Sequence, residues 1–275
     1  MSLSSESEVK AAAACKAHLT GRSPGFAVVR EPGKRLAEGH VTHIERSPVD
    51  PEIALRQWTG YVAALRGAGW TALEVAPADD CPDAVFVEDT MVLHGESAVI
   101  ARPGAGSRRA ETAAAEGAIA RLGYRVARIE APGTLDGGDV LDGGDRLYVG
   151  TGGRTSSEGA RQLEALVGVP VVEIPIEGVL HLKTAVTALP DGTFAGFAPL
   201  VPEPGVFPGF HAVPEPSGAN VVLLGGSTVL VAADCPRSAE LYAGLGFEPV
   251  VVDISELQKL EAGVTCLSVL AYDLT

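Results

Sequence analysis

The chain has 275 residues, 46% hydrophobic and 20% charged, enough to bury a large core without disulfide support. Its formal net charge of −14 argues against a nucleic-acid partner, which needs clustered Lys and Arg, and suits attraction of a small cation. No apolar run reaches the ~18 residues of a membrane span, the opening MSLSSESEVK is no secretory leader, and Cys15, Cys81, Cys235 and Cys266 are too scattered for a disulfide framework or a zinc site. The expectation is a cytoplasmic protein with reduced thiols, no nucleic-acid or membrane partner and no metal; the oligomeric state is left open between monomer and homodimer.

Residues 1–22 read as a small, polar extension with a short helix in AAAACKAHL, and residues 23–275 as one catalytic α/β domain. From Gly25 onward one grammar recurs. Helical periodicity in EIALRQWTGYVAALRGAG breaks at Gly69 into the strand WTALEVAP. PDAVFVEDTMVL then alternates as a strand. The helix–glycine–strand unit returns as RRAETAAAEGAIARLG before YRVARIEAP, as SSEGARQLEALVG before VPVVEIP, and as SAELYAGLG before FEPVVVDIS. The long interval before the last of these holds a further unit, LKTAVTALPDGTFAGFAPLV to FHAVPEPSG, whose helix is degenerate. Five units of roughly 45 to 55 residues are the period of arrays and propellers, and units of that size must pack around a common centre to bury their apolar faces.

The repeat aligns the chain on itself. Asp136 lies thirteen residues after Gly123, His181 thirteen after Gly168, Asp83 fourteen after Gly69, and Cys266 twenty after Gly246 with ELQKLE inserted. All four are expected on the first residue of the strand that follows, and so at one end of the central axis. A cysteine at the head of the apolar run TCLSVL is ordinarily a small buried hydrophobe. Beside a histidine and an aspartate it becomes a nucleophile candidate, with His181 as acid and base and Asp136 fixing the imidazole tautomer.

LDGGDVLDGGDRL holds two DGGD tetrads. Asp142 to Asp145 separates two strand-like runs and reads as a hairpin turn, whereas the first copy, with Gly137 and Gly138, falls at the repeat-equivalent position and lets backbone approach the axis. Asp83, Glu88 and Asp89 are either a solvated strand end or, beside a nucleophile, a pocket for a guanidinium. Arg108 and Arg154 each precede a repeat helix and either clamp a substrate carboxylate or lie on the surface.

FVEDT, IARPGAGSRR, TLDGGDVL, GRTSSEGA, GVLHLK and TCLSVL, six motifs in order across roughly residues 25 to 272, resemble the dimethylarginine dimethylaminohydrolases. The resemblance implies a five-bladed pseudo-symmetric α/β propeller (pentein) of ββαβ-type repeats. It implies Cys266 as nucleophile, His181 as acid/base, Asp136 as its partner, and Asp83, Glu88 and Asp89 around the guanidinium. Arg108 and Arg154 would sit on the substrate carboxylate and the backbone of Leu260 on its α-amino group. No cofactor is implied, because a cationic guanidino amino acid supplies its own electrophilic charge. The implied reaction is hydrolysis of Nω-methylated L-arginine to L-citrulline and a methylamine through a Cys thiouronium. Arginine deiminases and amidinotransferases resemble this fold but carry His-x-Asp, where this chain has His181-Leu182-Lys183, which leaves the far guanidinium nitrogen unclaimed. They remain the alternative. A non-catalytic propeller that only binds is a second, and it should lack the Cys, His and Asp found here. The sequence departs from the family in the lid LAEGHVTHIER, where His40 or Val41 stands for a leucine, and His40 is the lid residue expected to contact substrate.

Overall fold

The structure, a computed structural model, describes residues 23–274, so the extension assigned to residues 1–22, its helix and Cys15 lie outside the described residues. The architecture is an α/β propeller of five three-stranded sheets. In each, an inner strand runs antiparallel to a middle strand, which runs parallel to an outer one. Met91–His94, Ser97–Ile100 and Arg125–Arg128 form one such blade, with Met91 opposite Ile100 and Ser97 opposite Arg125. The ring closes by pairing Phe26–Val29 with the C-terminal strand Val269–Ala271, Phe26 facing Ala271.

Each crossover from middle to outer strand carries a helix wherever the sequence supplies one. Helix α1 (Pro51–Gly67) starts at Asp50, whose carboxylate accepts from the amides of Glu52 and Ile53, with Pro51 pre-set in the first turn. It buries Ala54, Trp58, Tyr61, Val62 and Leu65 on one face. Helices α2 (Thr112–Ala120), α3 (Ser157–Val167) and α4 (Pro236–Gly244) occupy three other blades. The remaining blade, Val186–Ala188, Phe194–Gly196 and Phe210–Ala212, crosses over through the 3-10 turns Ala198–Leu200 and Pro204–Val206, as its degenerate sequence led us to expect. Gly69, Gly123, Gly168 and Gly246 all have φ between +76° and +92°, a region a side chain resists.

Five apolar clusters hold the ring, one at each junction between neighbouring blades. Leu141 and Tyr148 of one blade, for instance, meet Val186 and Phe194 of the next. At another junction Val92 and Val99 meet Val140 and Val149. Cohesion is therefore lateral, from blade to blade, and the axis is left hollow. The inner strands surround a channel of about 210 Å³.

A short helical turn immediately precedes every inner strand: Val87–Thr90, Gly137–Asp139, Leu182–Ala185, Pro216–Ala219 and Val264–Leu267. This corrects the expectation that the reactive residues open the strands themselves; they sit in or just before these turns. It also corrects the strand expected from residue 82 onward, since pairing begins only at Met91. The carbonyls of Asp83 and Phe86 are taken by the Arg108 guanidinium instead of a neighbouring strand. The second DGGD does form a hairpin turn, in which the Asp142 carboxylate accepts from the Gly144 amide and the Gly143 amide bonds to Arg146.

Candidate active site

The turns ahead of the inner strands point their side chains at one end of the channel. There His40, Asp83, Asp89, Arg108, Arg154, His181, Leu260, Glu261 and Cys266 line a cavity of about 20 Å³, together with three apolar neighbours. That is room for about one water molecule. Asp136 lies directly behind His181 and is fully buried.

His181 opens the turn Leu182–Ala185 and is caged by carboxylates. Its Nε2 is 3.2 Å from Asp136 Oδ2, and its Nδ1 is 3.7 Å from Asp89 Oδ1. The other oxygen of Asp136 accepts from the Gly104 amide at 2.9 Å, so the carboxylate cannot swing away. Gly137 and Gly138 allow this packing. A Cβ on Gly138 would stand 2.6 Å from His181 Nδ1 and 2.8 Å from Asp89 Oδ1, and one on Gly137 would stand 2.1 Å from the Glu88 carbonyl oxygen.

Burial opposes a charged imidazole, but Asp89, Asp139 and Asp136 outweigh it and raise His181 to about 9. Asp89 shows the reciprocal balance: burial pushes its carboxyl up, while His181 and Arg108 hold it at about 2. Cys266 goes the other way. Burial, then the charges of Glu88 and Asp89, push the thiol far above its usual range. These directions favour a thiol at Cys266 and an imidazolium at His181 on the same cavity at neutral pH. Asp89, Asp136 and His181 present ligand atoms within 4.8 Å of one another, a spacing a metal ion would accept. A protonated imidazole offers no lone pair to one, so proton and metal would compete for this site.

Two expected contacts are differently arranged. Glu88 is not in the cavity with Asp83 and Asp89. Its carboxylate accepts from Lys183 Nζ at 2.6 Å and Thr265 Oγ1 at 2.8 Å and lines the channel on the other side. Arg108 does line the cavity, but its guanidinium is committed internally. It forks onto Glu111, meets Asp89 Oδ2 at 2.5 Å and donates to two carbonyls. Arg154, also at the cavity, is left as the cationic side chain not engaged by a described residue.

Three groups were missed at the sequence level. Asp139, the last residue of the first DGGD, is fully buried and accepts from the Leu182 amide at 3.1 Å and the Thr155 hydroxyl at 2.7 Å. Asn220, from the blade with α4, bonds the Lys183 carbonyl, Thr265 Oγ1 and the Thr265 amide, and so fixes the turn that carries Cys266. Glu261 accepts from the amides of Thr42 and His43 in the lid. Asp139 had a signal, the duplicated tetrad; Asn220 had only its place ahead of an inner strand.

No protein-family model matches the chain. It is 61% identical over 246 residues to the N(G),N(G)-dimethylarginine dimethylaminohydrolase of Streptomyces coelicolor, covering 88% of this chain and 95% of that one. It is 36% identical over 250 residues to the protein of the same name from Pseudomonas aeruginosa, covering 88% and 97%. Among solved structures, a cysteine-to-serine variant of the Pseudomonas aeruginosa enzyme complexed with citrulline superposes with a TM-score of 0.83 at 35% identity, covering 90% of this chain and 99% of that one.

Proposed function

The chain belongs to the dimethylarginine dimethylaminohydrolase family, and from that premise we propose that it hydrolyses Nω-methylated L-arginine to L-citrulline and a methylamine through a covalent adduct on Cys266. It is a hydrolase of amidine C–N bonds. The observation that carries the finer reading is the convergence of Cys266, His181, Asp83 and Asp89 on one cavity, with Asp136 at 3.2 Å behind the imidazole; burial and the nearby carboxylates favour a protonated His181 and a thiol at Cys266 there.

A protonated His181 cannot take the thiol proton. The positive charge needed to favour thiolate comes with the substrate, whose guanidinium sits against Cys266 and drives that proton to solvent. Asp89 and Asp83 supply the opposing carboxylates. The thiolate attacks the guanidinium carbon, and His181 donates its proton to the departing amine as the C–N bond breaks, leaving a thiouronium. His181, now neutral, takes a proton from water as the oxygen attacks. Collapse of the adduct breaks the C–S bond, returns the hydroxyl proton to sulfur and releases citrulline. Asp136 and Asp139 hold the imidazole so that it can act first as acid and then as base. Arg154 is assigned to the substrate carboxylate and the Leu260 backbone to its α-amino group.

Methylated arginine is favoured over arginine because the residue two after His181 is a lysine whose charge is spent on Glu88. No carboxylate at that position claims the far nitrogen, and methyl groups there leave no buried charge unpaired. Mass spectrometry of protein quenched during turnover tests the scheme: an adduct on Cys266 is expected, and Cys266→Ser should lose at least roughly 10⁴-fold in kcat. Turnover of arginine equal to that of its methylated forms would move the assignment to the deiminases.

A further inference from the structure

We propose that His40 is a built-in competitor for the substrate's seat on Asp83, and that its return to that seat expels the product. The inference rests on the reading of Asp83 as a guanidinium ligand. Both oxygens of Asp83 are already taken. The His40 amide donates to Oδ1 at 2.9 Å, and His40 Nδ1 bonds to Oδ2. Since a carboxylate only accepts, Nδ1 carries the proton. Gly39 makes the approach possible, because a Cβ there would lie 2.9 Å from Asp83 Oδ1.

The rest of the lid is fastened by the same device, a carboxylate from another loop. Glu261 takes the amides of Thr42 and His43 at 2.6 Å each, and Arg46 ties the lid to itself through the Gly39 carbonyl at 2.6 Å. With the lid in this position the cavity holds no arginine-sized molecule. The imidazole of His40 is half exposed while the carboxylate beneath it is buried, so the plug is reachable from solvent and its socket is not.

Substrate entry is therefore an exchange on Asp83, guanidinium for imidazole. A guanidinium is a permanent cation with several donors and can win it. The ureido group of citrulline is neutral, so after the reaction the balance reverses, and His40 reclaims Asp83 as the product leaves.

Replacing His40 with leucine removes the imidazole from Asp83 Oδ2, leaves the backbone amide on Oδ1, and keeps the apolar body of a lid side chain. With His40→Leu the KM for dimethylarginine should fall several-fold and citrulline should inhibit several-fold more strongly. Calorimetry of citrulline on the Cys266→Ser background should show the same tightening without turnover. Asp83→Asn is run beside it. If Asp83→Asn weakens substrate binding while His40→Leu changes neither KM nor citrulline inhibition, the exchange is refuted and the Asp83 reading survives. If Asp83→Asn leaves substrate binding intact, the Asp83 reading falls and the exchange with it. A rise in KM with His40→Leu would make His40 a substrate contact and overturn the proposal.

Discussion

The two walls of the cavity are built on different principles. On one side Asp89, Asp136, Asp139 and His181 come from three of the turns that precede inner strands, and all four are buried. On the other, His40 reaches Asp83 and Glu261 takes the amides of Thr42 and His43, both from loops, and the lid segment around His40 is largely exposed. The first wall is fixed by the propeller: a turn ahead of each inner strand must aim at the axis wherever its blade is. The second wall is held by a few polar contacts that can open. Proton chemistry is assigned to the rigid wall, where misplacement by an ångström is costly, and admission of substrate to the loose one.

If that contrast holds, the largest effects come from small changes to the rigid wall. Gly138→Ala adds one methyl group 2.6 Å from His181 Nδ1 and 2.8 Å from Asp89 Oδ1, where neither side chain has room to retreat. Activity should drop by roughly 10²-fold or more through displaced His181. Gly138 has no left-handed backbone to strain. The chain should still fold, and a circular dichroism spectrum matching the wild type beside lost turnover is the expected pair of results.

A second test reads the charge of His181. The mechanism uses the imidazolium, so kcat should decline as pH rises through about 9. Asp139→Asn removes one of the charges that hold the proton while keeping an acceptor for the Leu182 amide. It should move the basic limb down by roughly one unit and cost about fivefold in kcat at pH 9. An unmoved limb would assign that limb to another group. Stability carries the same signature. The folded pKa lies above the unfolded value near 6.5, so this contribution is complete below about 6.5 and lost as pH rises to about 9. The shift is worth about 3 kcal/mol, and the melting temperature of the wild type should fall over that window more steeply than that of Asp139→Asn.

The contrast also explains what could be read from the sequence. Five units, their terminating glycines and the first DGGD were visible because each is a periodic or backbone requirement. Gly168 at φ +76° and Gly137 against a carbonyl oxygen are positions where a side chain fails. The direction of Glu88 was not visible. Glu88 and Asp89 are neighbours in a 3-10 turn, where successive side chains stand about 120° apart, and so one faces the channel and the other His181. Nothing in VEDT says which. The internal fork of Arg108 was not visible, because its partner Glu111, three residues on, marks one only when both are buried. The lid contacts were out of reach for a different reason. Glu261 binds amides 219 and 218 residues away in sequence, and such a pairing has no local pattern to betray it.

Glu261 also gives the smallest expected effect. It is the non-glycine residue with a positive φ among those described, at +62°, while its carboxylate holds two lid amides. A left-handed backbone costs a side-chain-bearing residue on the order of 1 kcal/mol, which glycine does not incur. Glu261→Gly therefore separates two roles that most substitutions would confound. If Glu261 only shapes its loop, glycine should raise the melting temperature slightly and leave KM unchanged. As a latch on the lid position that leaves no room for substrate, its loss should lower KM several-fold with little change in kcat, because the rigid wall is untouched, while hydrogen exchange at the Thr42 and His43 amides quickens and the melting temperature holds or rises. A marked fall in kcat would mean that the loose wall takes part in the chemistry, and the division of labour between the two sides would have to be given up.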